Sequence, residues 1–190
     1  DLITFRSMGS KLQGHVHIGV PGIELSTGSL GQGLSVGAGI AVAHKLDNKP
    51  NKTYVVLGDG EMQEGSCWEA IMFAGRHKLN NLIAIVDFNG IQQEGFTNDI
   101  IDMNVSERPL AQKFSDFGWN ALEINGNDME AVMDALDKVS NFKPLAIIAH
   151  TTKGAGVSFM ENNKGFHGKA PTTEELEKAL EELQTKGSKA

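Results

Sequence analysis

Thr53-Tyr54-Val55-Val56-Leu57-Gly58-Asp59-Gly60 and, about thirty residues on, Leu82-Ile83-Ala84-Ile85-Val86-Asp87-Phe88-Asn89-Gly90-Ile91 are two apolar runs that each stop at a polar, glycine-bearing turn. Each run reads as a buried strand of a parallel sheet, Thr53 to Leu57 and Leu82 to Phe88. Open α/β sheets bind ligands outside the carboxyl ends of their strands, so the two turns are expected to meet in space. Asp59 offers a carboxylate, Asn89 a neutral amide and Ile91 a backbone carbonyl, a hard-oxygen set suited to Mg2+, with Ca2+ or Mn2+ as substitutes. That set is short for an octahedral ion, which usually keeps water and phosphate oxygens in its shell, so a bound phosphate is expected to complete it. The pair of turns points to a metal-bridged diphosphate anchor.

The rest of the chain supplies the other elements of such a sheet. Leu30 to His44 is too rich in glycine to be helical on propensity alone, so tight packing must hold it as a helix, with Gly33, Gly37 and Gly39 allowing neighbours to approach. Lys45 to Lys52 reads as a turn-rich surface loop. Cys67 to Leu79 forms an amphipathic helix between the two strands. Helix Glu107 to Phe117, with Leu110, Phe114 and Phe117 at core spacing, strand Ala121 to Ile124, helix Met129 to Val139 and strand Leu145 to Ala149 follow. The order β-α-β-α-β-α-β predicts an α/β fold, a parallel sheet with right-handed crossovers and helices on both faces. Phe5 to Gly22 reads as a short helix and ordered loop, and Thr172 to Gln184, with its Thr-x-x-Glu start, as an exposed capped helix.

Composition narrows the class. The 190 residues suit one domain, residues 1–190, and the 40% apolar and 22% charged shares fit a globular chain. No run approaches the roughly eighteen uncharged apolar residues needed to span a bilayer, so membrane insertion is not expected. A net charge of −7 argues against a nucleic-acid surface, which would present a basic face. Cys67 is the single cysteine, so no internal disulfide forms and the cytoplasm is the expected compartment. The start at Asp1, without an initiator methionine, leads us to expect a truncated amino terminus.

Gly58-Asp59-Gly60-Glu61-Met62-Gln63-Glu64-Gly65, followed by a helix and a strand ending in Asn89-Gly90-Ile91, resembles the thiamine diphosphate motif. Gly28-Ser29-Leu30-Gly31-Gln32-Gly33 and Phe166-His167-Gly168-Lys169-Ala170-Pro171 narrow the likeness to the transketolase family, from about Phe5 to beyond Pro171. The resemblance implies that Asp59, Asn89 and the main-chain oxygen of Ile91 bind the cation bridging the cofactor's phosphates. Gly60 sits where a side chain would meet a phosphate, and a helix start near Glu61 to Gly65 would offer N–H groups to the anion. Gly28, Ser29 and Leu30 are expected against the cofactor's rings, Leu30 as the apolar support. Gly31-Gln32-Gly33 is not read as a dinucleotide fingerprint, because no strand precedes it.

Of six histidines, at 15, 17, 44, 77, 150 and 167, two match family positions. His15 resembles a histidine that touches the donor sugar, although the family's Gly-His-Pro is here Gly14-His15-Val16. His167 resembles one that reaches diphosphate and substrate. His44 and His77 read as helix-surface residues, and His17 and His150 as structural. Glu64 resembles the glutamate through which paired cofactor sites communicate, and reads equally as a first-turn carboxylate favoured by the helix dipole. Lys153 resembles a cofactor-contacting lysine of some members, and reads equally as a solvated side chain.

In this family the carboxylic acid that activates the cofactor's N1′ comes from a separate pyrimidine-binding domain, and a Lys-Gly-His block lies well before the Phe5 region. Neither is in the 190 residues. The chain therefore resembles the diphosphate-binding, amino-terminal subunit of a split transketolase, truncated at its start. The resemblance implies transfer of a two-carbon ketol unit from a ketose phosphate to an aldose phosphate. It also implies a carboxyl-terminal pyrimidine-binding partner, a heterotetramer, and no activity alone. A deoxyxylulose-phosphate synthase, a 2-oxoacid dehydrogenase subunit, or a catalytically silent cofactor-binding module are the alternatives, and the Gly14-His15 and His167 blocks favour transketolase over the first two.

Overall fold

Handedness and strand order together decide where each helix lies. The computed structural model describes residues 2–93, 95–103, 108–139 and 142–187. Among these, β1 (Thr53–Gly58), β2 (Leu82–Phe88), β3 (Asn120–Asn125) and β4 (Leu145–His150) form a parallel sheet in the order β1-β2-β4-β3. The helices are α1 (Gly33–Leu46), α2 (Gly65–Arg76), α3 (Thr97–Ile100), α4 (Leu110–Asp116), α5 (Met129–Leu136) and α6 (Thr173–Gly187). The connections from β1 to β2 and from β2 to β3 advance in one direction across the sheet, whereas β3 to β4 steps back. Right-handed crossovers then put α2 and α4 on one face and α5 on the other.

Alternation along the strands fits those two layers. Leu82, Ala84 and Val86 of β2 and Ala146 and Ile148 of β4 bury against Leu34, Ala38 and Ala41 of α1, Ile71 and Ala74 of α2, and Leu110 and Phe114 of α4. The alternate residues Ile83, Leu145 and Ile147 pack with Ala135 of α5, joined by Leu122 and Ile124 of β3. In-register pairing of Gly58 with Asp87 and of Asp87 with Ala149 brings the carboxyl ends of β1, β2 and β4 to one edge. Among the described residues no helix is long and apolar enough to cross a membrane.

The fold matches the predicted α/β arrangement with helices on both faces, with local differences. β1 is an edge strand and is not buried on both sides: Tyr54 is 52% and Val56 70% exposed, because α5 reaches only the other half of that face. Helix α4 begins at Leu110, after Pro109 at its N-cap, rather than at Glu107, which lies outside the described residues. Proline fits a helix start better than its interior. The opening segment holds one 3₁₀ turn, Leu2–Thr4, in place of a short helix at Phe5. Helix α6 carries the expected capping box, with Glu175 N–H donating to Thr172 Oγ1 at 3.2 Å and Thr172 N–H to Glu175 Oε2 at 2.8 Å.

Of the three glycines expected to allow close packing of α1, only Gly37 does so. A Cβ there would lie 2.3 Å from Val55 Cγ2, whereas at Gly33 it would make ordinary contact at 3.8 Å and at Gly39 it would meet nothing within 4 Å. Gly75 of α2 is tighter still, its added Cβ falling 1.8 Å from the carbonyl oxygen of Phe117. Gly75→Ala is therefore expected to destabilise the chain by about 1–3 kcal/mol or more through overpacking, while Gly39→Ala is neutral or stabilising by about 0.5–1 kcal/mol. Urea unfolding midpoints of the two variants check this; a larger loss at Gly39 than at Gly75 would contradict the packing described.

Candidate functional site

Where β1 ends, Asp59 turns inward, and its residue is only 2% exposed. Its Oδ1 accepts the N–H of Gly60 at 2.9 Å; its Oδ2 accepts the N–H of Gly90 at 2.7 Å and the hydroxyl of Thr97 at 3.2 Å. All three donors are neutral, and among the described residues no ion pair involves this carboxylate. The turn after β2 closes over it. Asn89 Nδ2 donates to Asp87 Oδ2 at 3.0 Å, Asn89 Oδ1 accepts the N–H of Ile91 at 3.0 Å, and Thr97 N–H donates to Gly90 O at 2.9 Å. The expected meeting of the Asp59 and Asn89–Ile91 turns is thus present in the fold.

Burial raises the pKa of Asp59, the three hydrogen bonds pull the other way, and the charge of Asp87 adds to the rise. The folded chain therefore holds this proton more tightly than the unfolded one. By linkage, the stability this group contributes is greatest below its ordinary carboxylate range and falls as pH rises through the higher folded value. When ionised, the carboxylate is a buried charge held by neutral donors alone. A hard cation beside it would lift that penalty, and the oxygen-only set of Asp59, Asn89 and Ile91 fits such an ion. Gln92 adds an orphan: its buried Oε1 lacks a hydrogen-bond partner and lies 3.0 Å from where a Gly60 Cβ would stand. Among the described residues no cluster of three His, Cys, Asp or Glu side chains could hold a metal.

Glu61 joins the second predicted block to this one. Its Oε1 accepts the N–H of Gly31 at 2.9 Å and its Oε2 that of Gly58 at 3.2 Å, tying the Gly28–Gly33 turn to the end of β1. Ser66 Oγ donates to Gly31 O at 2.9 Å, strengthening the tie. The row of free N–H groups expected at Glu61 to Gly65 is interrupted in its middle. Residues 61–63 form a 3₁₀ turn in which the N–H groups of Met62, Gln63 and Glu64 donate to the carbonyls of Asp59, Gly60 and Glu61, and α2 starts only at Gly65. Glu64 is the N-cap residue of α2 rather than a first-turn one; its side chain makes no capping bond and its residue is exposed.

Gly28, Ser29 and Leu30 line a cavity of about 330 Å³ with Leu25, Val56 and Glu61, and Leu30 is 63% exposed at its rim. Gly28 has a φ of +123°, and a Cβ there would come 2.5 Å from the His15 ring, so glycine is required and His15 packs on this turn. A larger concavity, about 710 Å³ along β3, is lined by Trp119, Leu122 and Ala135 and holds none of the predicted site residues. His167 lies exposed after the 3₁₀ turn Lys164–Phe166, and Lys153 follows β4 with its carbonyl accepting from Asn162. Among the described residues no hydrogen bond joins either to the Asp59 cluster. His17 is held structurally by Lys11 O and Gly19 N, and His150 by Glu123 at 2.9 Å. Sequence reasoning passes over Thr97 and the Glu61 clamp, whose partners lie 38 and 30 residues away in the chain.

The sequence profile of the family described as "Transketolase, thiamine diphosphate binding domain" matches residues 1–189. The chain is 44% identical over 182 residues to an apulose-4-phosphate transketolase subunit of Phocaeicola vulgatus, covering 95% of this chain and 63% of that protein. It is 47% identical over 185 residues to the same-named subunit of Actinobacillus succinogenes, covering 96% and 66%. It thus spans just under two thirds of the length of these two relatives. A transketolase from Campylobacter jejuni superposes with a TM-score of 0.89 at 36% identity, over 96% of this chain and 29% of that one.

Cys67 reports on how firmly the Gly28–Gly33 turn is seated. Its buried Sγ lies 3.9 Å from Gly31 O and 3.4 Å from Glu61 O, and burial, reinforced by Glu61 and Glu64, pushes the thiol up to about 11. Alkylation proceeds through the thiolate, so at pH 8 the native thiol is expected to react at least about 100-fold more slowly than the urea-unfolded one. Comparable rates, followed with iodoacetamide, would show that the turn is not held in place as described.

Proposed function

The chain belongs to the transketolase family, in the part that binds thiamine diphosphate, and from that premise we propose that it is the diphosphate-binding subunit of a split transketolase. The observation that carries this reading is the buried Asp59 carboxylate, lacking a cationic partner among the described residues and closed over by the Asn89–Ile91 turn. In the proposal Asp59, Asn89 Oδ1 and the Ile91 carbonyl hold Mg2+, or Ca2+ or Mn2+ in its place, against the diphosphate. When bound, thiamine diphosphate supplies the acidic carbon and the electron sink that ketol transfer needs.

The chain's own residues bind and orient. Gly60, whose side-chain position is taken up by Gln92, and Glu61 are assigned to the backbone wall beside the diphosphate. Gly28, Ser29 and Leu30 support the rings at the cavity that Val56 and Glu61 also line. His15, packed on Gly28, is assigned to a donor-sugar hydroxyl, and His167 and Lys153 to the diphosphate side. Glu64, exposed and free of a capping bond, is assigned to contact across a subunit interface.

A pyrimidine-binding partner is assigned the carboxylic acid that N1′ requires, in a heterotetramer; two relatives are themselves named as subunits of a transketolase, which supports a divided enzyme. Their apulose-4-phosphate names also support a ketose phosphate as donor, and an aldose phosphate is the proposed acceptor. Calorimetric titration of thiamine diphosphate is expected to show Mg2+-dependent binding that weakens by more than about tenfold in Asp59→Ala; unchanged affinity would remove Asp59 from the anchor. The chain alone, given cofactor and Mg2+, is expected to show no ketol transfer, and appreciable turnover without a partner would contradict the subunit reading.

A further inference from the structure

Asp87 touches every strand end that meets at the site, yet it is not among the oxygen donors assigned to the cation. It pairs in register with Gly58 of β1 and Ala149 of β4. Its carbonyl oxygen accepts the N–H of Asp59 at 3.2 Å, its Oδ2 accepts from Asn89 Nδ2 at 3.0 Å, and its Oδ1 accepts the hydroxyl of Thr151. One side chain thus links the residue after β4 to the residue after β2.

The consequence lies in the chemistry of a primary amide, whose two ends are opposite in kind. Nδ2 only donates and Oδ1 only accepts, while an ionised carboxylate only accepts. With Asp87 on one side, Asn89 must present its NH2 there; turned over, its oxygen would face a carboxylate oxygen with no proton between them. Oδ1 is therefore sent to the opposite side, where it meets the N–H of Ile91 beside the turn that closes on Asp59. The Thr151 hydroxyl fixes the rotation of the Asp87 carboxylate and so the direction in which it receives the amide.

We propose that Asp87 is a positioning residue that orients the Asn89 amide, turning its oxygen and not its NH2 toward the cation. This rests on the reading that Asp59, Asn89 and Ile91 hold that ion. Partners that orient metal ligands in this way typically change metal affinity by about 10–100-fold when altered. Asp87→Asn keeps the shape but can donate as readily as accept, so it no longer dictates which way Asn89 points. Asn89→Asp removes the need for orientation, since a carboxylate presents oxygen either way round, but sets it against Asp87; Asp87→Asn in the same chain supplies an NH2 there and relieves that repulsion.

The test is calorimetric titration of thiamine diphosphate, with and without Mg2+, on the 190-residue chain and on Asp87→Asn, Asn89→Asp and the double variant. Asp87→Asn is expected to weaken Mg2+-dependent binding about tenfold or more with Asn89 in place, and to leave it unchanged or stronger in the Asn89→Asp background. Equal losses in both backgrounds would mark a general structural role and overturn the proposal, as would no loss in either. Failure of the double variant to bind would also overturn it, because an oxygen at position 89, with an amide beside it to donate, would then not be enough. If the unmodified chain binds only without dependence on Mg2+, the anchor itself fails; if it binds with Mg2+ and Asp87→Asn binds equally well, the positioning role alone fails.

Discussion

A carboxylate with almost no access to water, held by two backbone N–H groups and one hydroxyl, is the constraint around which the carboxyl edge of this sheet is arranged. Burial penalises its charge, and neutral donors recover only part of that cost. Two of the three donors come from distant parts of the chain, so the Asp59 geometry exists only if the turn after β2 and the start of α3 are both in place. That dependence extends outward. Glu61, two residues beyond Asp59, clamps Gly58 and Gly31, and Gly31 carries with it the turn that packs against His15 through Gly28.

Topology explains why these groups share one edge. In parallel strands every carboxyl end points the same way, and the paired register sets Gly58, Asp87 and Ala149 side by side. The reversal at β3 to β4 sends α5 to the second face and leaves that face of β1 uncovered by any described helix. Val56, exposed on it, lines the cavity with Leu30 and Glu61. The proposed ring site is therefore a cavity bounded on one side by an exposed strand face.

Much of this is legible in the sequence because the strands are short apolar runs bounded by glycine, proline or asparagine. The pattern gives β2 with both its bounds, Leu82 and Phe88, and the other strands to within a residue at each end. The meeting of Asp59 with the Asn89 turn is legible for the same reason, since it follows from strand direction alone. Other features depend on long-range packing that a local pattern does not encode. Gly33, Gly37 and Gly39 look alike in sequence, and only the position of Val55 separates the second from the others. The exposed face of β1 follows from strand order, not from its composition. Thr97 and the Glu61 carboxylate act on partners far away in the chain, so no spacing marks them. Pro109 does carry a local signal for the start of α4, and it outweighs the apolar spacing that suggests an earlier start at Glu107.

A cation seated between the Asp59 carboxylate and a diphosphate underlies the proposed function. Diffraction at the manganese edge from crystals of the chain grown with Mn2+ and thiamine diphosphate addresses that directly. The expected result is an anomalous peak within about 2.5 Å of an Asp59 carboxylate oxygen, Asn89 Oδ1 and the Ile91 carbonyl oxygen, with phosphate oxygens completing its shell. A peak elsewhere, or a bound cofactor whose phosphates lie away from Asp59, would contradict it.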